Sequence, residues 1–248
     1  MNYLIILFFT LIIYGIYRFL KAWNKKVKEE QLKERKLIEQ QINIRVYDYA
    51  DKNGVTLLMK CLIYNFTGLA NQLLEKNIEI DKKDHHGDTA IFYAIRRGQF
   101  DIFTQLISLG ASLNHKNIYS ETPLWYAAQK SDYRYLETLL NHKISLDIPD
   151  NRYSLTPILV AVKNQQIENI SRLFKHGANL NHESREGSII ELLNRFIEAY
   201  FSGKSYNTYE GKELIREIRA SYHNVPYHPQ SYEAYKKDYK ETQHPKEY

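Results

Sequence analysis

The chain has 248 residues, 34 Lys+Arg against 29 Asp+Glu, a formal net charge of +5 at pH 7 and a single cysteine. One thiol excludes a disulfide-stapled scaffold. The charge is local: residues 51–200 hold 17 basic and 17 acidic side chains, whereas residues 21–50 hold 8 and 5. A neutral centre without a basic stripe excludes nucleic acid as a partner.

The first element is apolar. Residues 1–17 carry no charged side chain, and twelve Leu, Ile and Phe fall between Leu4 and Leu20. Together these favour insertion into a bilayer by about 4–7 kcal/mol. A helix from Asn2 to Trp23 would reach about 33 Å, enough to span the hydrocarbon. Tyr14, Tyr17 and Trp23 supply an interfacial girdle. No Lys or Arg precedes Arg18 and no small-residue cleavage triplet follows, which argues against a cleaved signal peptide. Residues 1–23 are therefore expected to be an uncleaved transmembrane anchor, with the lipid bilayer contacted through residues 2–23. Arg18, Lys21, Lys25, Lys26 and Lys28 all lie on its C-terminal side. That places the N-terminus outside and the rest in the cytoplasm, and the lone Cys61 fits a reducing compartment. Residues 24–50 read as a charged helix and an N-terminal capping half-repeat, with residues 31–44 as its helix.

From residue 51 one phrase recurs. Gly54-Val55-Thr56-Leu57-Leu58-Met59 returns as Gly87-Asp88-Thr89-Ala90-Ile91-Phe92, then Ser120-Glu121-Thr122-Pro123-Leu124-Trp125, then Ser154-Leu155-Thr156-Pro157-Ile158-Leu159, and the threonines stand 33, 33 and 34 residues apart. A fixed period of this length means stacked helical units. Each Thr is expected to cap a helix start, with Pro suited to the first turn. Cys61, Ala94, Ala127 and Ala161 share one slot, where a small side chain lets paired helices approach. Gly110 and Gly177 stand where a second helix should end in a left-handed residue. Lys143 holds the same slot and is expected to cost about 1 kcal/mol there relative to Gly.

These residues resemble the ankyrin repeat family, whose unit reads roughly D-x-x-G-x-T-P-L-H-x-A, a second helix, then L-L-x-x-G-A-D-V-N. Thr122-Pro123-Leu124-Trp125-Tyr126-Ala127 and Gly177-Ala178-Asn179-Leu180-Asn181 match most closely. Met59, Phe92, Trp125 and Leu159 replace the family's His, and Ser120 and Ser154 its first Gly. The resemblance covers about residues 45–200. It implies an all-α, ankyrin-type helical solenoid of about four to five repeats, here preceded by one N-terminal transmembrane helix. With the resemblance, a membrane-anchored bacterial protein is expected, and the abundance of Lys, Asn, Ile and Tyr with little Gly and Pro points to an AT-rich genome. The repeats are expected over residues 51–200, and a C-terminal capping helix with an inserted loop over 201–223. A disordered tail is expected over 224–248.

No catalytic, cofactor or metal site is expected. His85 and His86 are adjacent at a hairpin tip, where side chains diverge. His223 and His228 lack further ligands at metal spacing. Gly203-Lys204-Ser205 lacks the earlier Gly that a phosphate loop needs. The resemblance instead implies a partner-binding face built from hairpin tips and first helices, here His85, His86, Tyr93, Tyr119, Tyr126, Arg152 and Tyr153. The expected function is a membrane-anchored, non-enzymatic module that holds a partner protein. Alternatives are an immunity or inhibitor protein that neutralises a toxic effector, and a regulatory subunit or enzyme with a small-ligand site in residues 200–248.

Overall fold

The computed structural model describes the backbone of residues 2–43, 45–76, 78–201 and 209–222, and the side chains of residues 16–43, 45–76, 78–195 and 213–221. The described residues are all-helical, with two isolated bridges, Ala50 to Thr56 and Ser184 to Gly187, and no strand. The chain divides into two units, residues 1–118 and 119–248.

The first unit holds α1 (Asn2–Asn43), α2 (Leu57–Tyr64), α3 (Thr67–Leu74), α4 (Ala90–Arg97) and α5 (Phe100–Ser108). α2 pairs with α3, α4 with α5, and the two pairs lie α2 on α4 and α3 on α5. The small slot explains the closeness: Cys61 and Ala94 are fully buried, as are Ile91, Ile95, Phe103 and Leu106. α1 packs on α2 and α3, with Ile38 fully buried. It is one continuous helix, with no break between the expected anchor and the expected capping helix. Arg45 closes it in a left-handed conformation, φ 60°, so that Val46 N–H reaches the Gln41 carbonyl at 2.9 Å. Among the described residues no helix is long and apolar enough to cross a membrane. The side chains of residues 1–15, which make up most of the apolar run, lie outside the described set.

Lys60 ties α1 to the first repeat. Its ammonium, on a buried side chain, meets Glu34 of α1 at 3.0 Å and Asp51 at 3.5 Å. Burial works against the charged Lys60, but the Glu34 and Asp51 carboxylates outweigh it and raise its pKa above the ordinary 10.5. Burial likewise opposes the Asp51 carboxylate, and bonds from the Asn53 and Val55 N–H groups and Lys60 still carry its pKa below 3.8. The Asp51 contribution is complete above the unfolded value and is lost as pH falls through the lowered folded one. The Lys60 contribution is complete below its unfolded value and is lost as pH rises through the raised one. Protection factors along residues 34–43, taken against intrinsic exchange at each pH, are therefore expected to fall at both extremes, below pH 3.8 and above pH 10.5. A profile flat across both windows would remove the tether from the account.

Burial pushes the Cys61 thiol up to about 12. A thiolate-directed reagent at pH 8 should leave Cys61 unmodified in the folded chain, with labelling only at the rate of local opening. Modification as fast as in urea would contradict the buried placement.

The second unit holds α6 (Pro123–Ala128), α7 (Arg134–Leu140), α8 (Pro157–Lys163), α9 (Ile167–Lys175), α10 (Ile189–Phe201) and α11 (Tyr209–Tyr222). α6 lies against α7 and α8, α8 against α9 and α10, and α9 against α11. Ala127, Ala161, Leu139, Leu173, Leu193 and Ile218 are fully buried between them. The inserted loop is expected over residues 202–211, but α11 begins at Tyr209, so Gly211 lies within a helix. Residues 202–208 of that loop and the expected tail, residues 224–248, lie outside the described residues.

Two local expectations need correction. Thr56 and Thr122 do accept from the Met59 and Trp125 N–H groups, whereas Thr89 and Thr156 make no side-chain cap. At Thr89 the Phe92 N–H turns to the Thr89 carbonyl instead, at 3.1 Å. Lys143 carries no left-handed strain, because the residues of positive φ do not include it. The strain sits at Ser120 and Ser154, φ 60° and 58°, in the slot where Gly54 and Gly87 have φ 77° and 73°. Each Ser there costs about 1 kcal/mol relative to Gly.

Candidate protein-binding surfaces

Each repeat opens with a tight finger whose first residue is polar: Asp51, Asp84, Asn117, Asp150 and Ser184. In the first unit Asp84 Oδ1 accepts from the His86 and Asp88 N–H groups at 2.8 and 2.9 Å, and Asp51 Oδ1 accepts from Asn53 and Val55. Neighbouring fingers join backbone to backbone. His85 N–H donates to the Asn53 carbonyl and Ile118 N–H to that of His86, both at 2.9 Å. A Cβ on Gly54 would stand 3.0 Å from Asp84 Cα, so glycine here serves a close approach as well as its left-handed φ.

A polar brace backs these fingers. Tyr93 donates its hydroxyl to Asp84 Oδ2 at 2.6 Å, Arg96 meets Asp88 at 2.5 Å, and Arg96 lies 4.7 Å over the Tyr93 ring. Asn117 Nδ2 donates to Asp88 Oδ1 at 3.0 Å. Burial pushes the Asp88 carboxyl up, against the bonds from Asn117 and Arg96 that favour its charge. Burial and the Asp84 carboxylate raise Tyr93 far above the ordinary tyrosine value, so it remains a donor. His85 and His86 are exposed at the tip and Tyr93 is half-buried.

In the second unit Asp150 repeats the pattern with one more donor. Its Oδ1 accepts from Arg152 and Tyr153 N–H at 2.8 and 2.7 Å, and its Oδ2 from Leu155 N–H at 2.9 Å. Asn151 N–H donates to the Tyr119 carbonyl, and Arg185 N–H to that of Tyr153. These two bonds keep the positions that the second and third finger residues hold in the first unit. Arg152 is therefore the inserted residue that makes one threonine interval 34 instead of 33. Its guanidinium lies 4.6 Å over the Tyr119 ring, and its carbonyl accepts from Arg185 Nη1 at 3.0 Å. Tyr153 is 44% exposed, with Lys163 Nζ 5.0 Å from its ring centre. Tyr126 donates to Glu121 at 2.7 Å. Trp125 donates its indole N–H to the Leu155 carbonyl at 3.0 Å, so at the slot the family gives to His it ties one repeat to the next.

The geometry thus places His85, His86 and Tyr93 in one unit and Tyr119, Tyr126, Arg152 and Tyr153 in the other. Tyr119, Arg152 and Tyr153 come together at the fourth finger, and Tyr126 is held through Glu121. Sequence reasoning missed Arg185 and Lys163, which complete that cluster. The 34-residue interval was the available signal.

Among the described residues no group of three His, Cys, Asp or Glu side chains could hold a metal ion. His223 and His228 lie outside the described residues. A shallow groove between α9 and α11 is lined by Glu168, Lys175, Glu213 and Glu217 among others. Glu168 is engaged by Arg172 and Glu213 by Arg216, so the groove does not gather free acids.

The chain belongs to the ankyrin repeat family. The family model, described as ankyrin repeats in three copies, matches residues 31–117 and 113–184, well over half of the chain. A solved chain with the same fold comes from the complex of the predatory endopeptidase Bd0816 of Bdellovibrio bacteriovorus with the immunity protein Bd3460. It is 22% identical, with a TM-score of 0.55, and the match covers 62% of this chain and 80% of that one. No curated protein matches the chain.

Proposed function

We propose that this chain is a non-enzymatic binding module that grips a partner protein through its finger tips and first helices, at His85, His86, Tyr93, Tyr119, Tyr126, Arg152 and Tyr153. The observation that carries this reading is the construction of the fingers. Asp51, Asp84 and Asp150 and the backbone bonds between fingers fix the turns, while His85, His86, Arg152 and Tyr153 stand exposed at the tips. Rigid Tyr and Arg anchors on a fixed scaffold are what protein-binding hot spots require. Full-length chain used to capture partners from its native source should return one protein in stoichiometric amount. Return of none, from soluble and membrane fractions alike, would defeat the reading.

The anchor is part of the same proposal. The uncharged run over residues 1–17 leads into exposed Phe19 and Trp23, 66% and 56% accessible, and then into the lysines of residues 21–28. Apolar span, aromatic belt and basic flank are the arrangement of a single-pass segment with its positive side inside. Confinement to a cytoplasmic membrane face would raise the effective concentration of a membrane-borne partner. A reporter fused after Tyr248 should report the cytoplasm.

A more specific reading is an immunity or inhibitor protein that masks an effector. It is favoured by the solved complex of like fold, which joins an endopeptidase to an immunity protein. A gripping surface that covers an active site needs no chemistry of its own.

A further inference from the structure

The fourth and fifth fingers carry two arginines whose charge is held in place and left unmatched. Arg152, the inserted residue, is fixed by its N–H bond to Asp150 and by its stack on Tyr119. Arg185 is fixed beside it, through its own N–H to the Tyr153 carbonyl and Nη1 to the Arg152 carbonyl. Both side chains lie on exposed residues. Neither guanidinium has a carboxylate partner among the described residues, in contrast to Arg96, Arg134, Arg172 and Arg216. Glu186, the acid of the fifth finger, is already taken by Lys163 at 2.5 Å, and its carbonyl accepts from Arg195.

Stacking an arginine on an aromatic face leaves the N–H edge of the guanidinium available for carboxylate oxygens. Holding Arg152 by that stack and Arg185 by its bond to the Arg152 carbonyl beforehand removes the ordering cost that ordinarily cancels a surface ion pair. Tyr153 beside them offers apolar area for the stem of a bound side chain.

We propose that this pair of fingers is the specificity-setting part of the binding surface and takes an acidic protein segment, with Asp or Glu carboxylates seated on Arg152 and Arg185. The inference rests on the protein-binding reading and adds the chemistry of the partner. A phosphorylated peptide and an anionic lipid surface are the other occupants that two arginines could attract. The basic stretch of residues 21–28, in the other unit, is better suited to lipid. Two forks beside one tyrosine form a local, directional site, and they suit a short peptide segment.

The test uses the full chain in detergent, with synthetic hexaglutamate as probe and the Arg152 and Arg185 Nε–H resonances as readout. Both resonances should shift on titration, with binding weakened about tenfold in Arg152→Gln and again in Arg185→Gln, and weakened by added salt. A photo-crosslinker in place of Tyr153, activated in the native source, should join an Asp/Glu-rich peptide. The proposal is overturned if hexaglutamate leaves both resonances unmoved. It is equally overturned if a phosphoserine peptide or phosphatidylserine vesicles shift them where hexaglutamate does not, or if the cross-linked segment is neutral or basic. A partner protein that binds the doubly substituted chain as tightly as the parent would sink this inference and leave the protein-binding function standing. Hexaglutamate binding with no protein captured would remove the protein-binding reading, and the assignment of an acidic protein segment with it.

Discussion

Replacing Asn169 by Leu is expected to lower the unfolding free energy of the second unit by about 3 kcal/mol, a large effect for a change of similar volume. Asn169 is 1% exposed, and its amide Nδ2 donates to three carbonyls, those of Ala127, Ala128 and Lys130 at 3.3, 3.1 and 2.7 Å. Ala127 and Ala128 are the last residues of α6 and Lys130 follows it, and a helix end has no internal donors for its last carbonyls. The first helices of the two earlier repeats close with a left-handed residue, and α2 also takes Gln99 Nε2 at its Leu62 carbonyl. α2 and α4 end in left-handed Asn65 and Gly98, whose N–H groups fold back onto the last turn. α6 ends at Gln129 in a right-handed conformation and has only six residues. The donor is supplied instead by α9, from the next repeat. With leucine the Ala128 and Lys130 carbonyls lose this donor, while the Ala127 carbonyl keeps the Lys130 N–H at 3.0 Å, so the cost still exceeds that of one net hydrogen bond. Urea unfolding followed by the second unit's signal should shift its midpoint down by roughly 1–2 M without change of slope. Asn169→Asp, which accepts and cannot donate when ionised, should be at least as damaging. A midpoint within about 0.2 M of the parent would refute the capping role.

The second large effect concerns binding. Tyr119→Ala combined with Tyr153→Ala is expected to weaken the captured partner about 30- to 1000-fold while stability changes by less than about 1 kcal/mol. Tyr153 is largely outside the core, and Tyr119 contributes its ring as the platform for Arg152, so removing both flattens and loosens the tip together. Tyr93→Phe provides the contrast. Its hydroxyl is spent on Asp84 within the brace, so its loss should cost about 1–2 kcal/mol of stability. Calorimetric titration of the partner and parallel urea curves separate the two outcomes. Binding unaffected by the Tyr119 and Tyr153 changes would move the contact surface away from the fourth finger.

The repeat fold was legible because it is written several times. The Thr, the small slot at Cys61, Ala94, Ala127 and Ala161, and the paired leucines each recur at one interval, and each corresponds to a helix start, a close approach or a buried face. What the repeat obscured were departures whose meaning is three-dimensional. Position 169 is polar where Leu69, Ile102 and Tyr135 stand in the other repeats, and the pattern itself marks that as an exception. Its purpose became visible only when the carbonyls it serves, about forty residues earlier, were in place. Lys143 fails in the opposite direction: register assigned it the left-handed slot of Gly110 and Gly177, and Lys143 is not among the residues of positive φ. The candidate binding residues were recognisable as finger residues. Their division of labour was not, since a sequence cannot tell that the Tyr93 hydroxyl is committed to Asp84 while Tyr153 stays open. The one-residue lengthening of the interval before Thr156 was in plain view, and only the backbone bonds identify Arg152 as the residue that bulges.

All of this depends on the fingers being where another protein is held. Amide exchange of the full chain, measured alone and saturated with the captured partner, reads that directly. Slowed exchange at residues 84–87 and 150–154, with adjoining first-helix turns, is the predicted pattern. Protection confined to the outer helices α3, α5, α7 and α9, with the fingers unchanged, would contradict it.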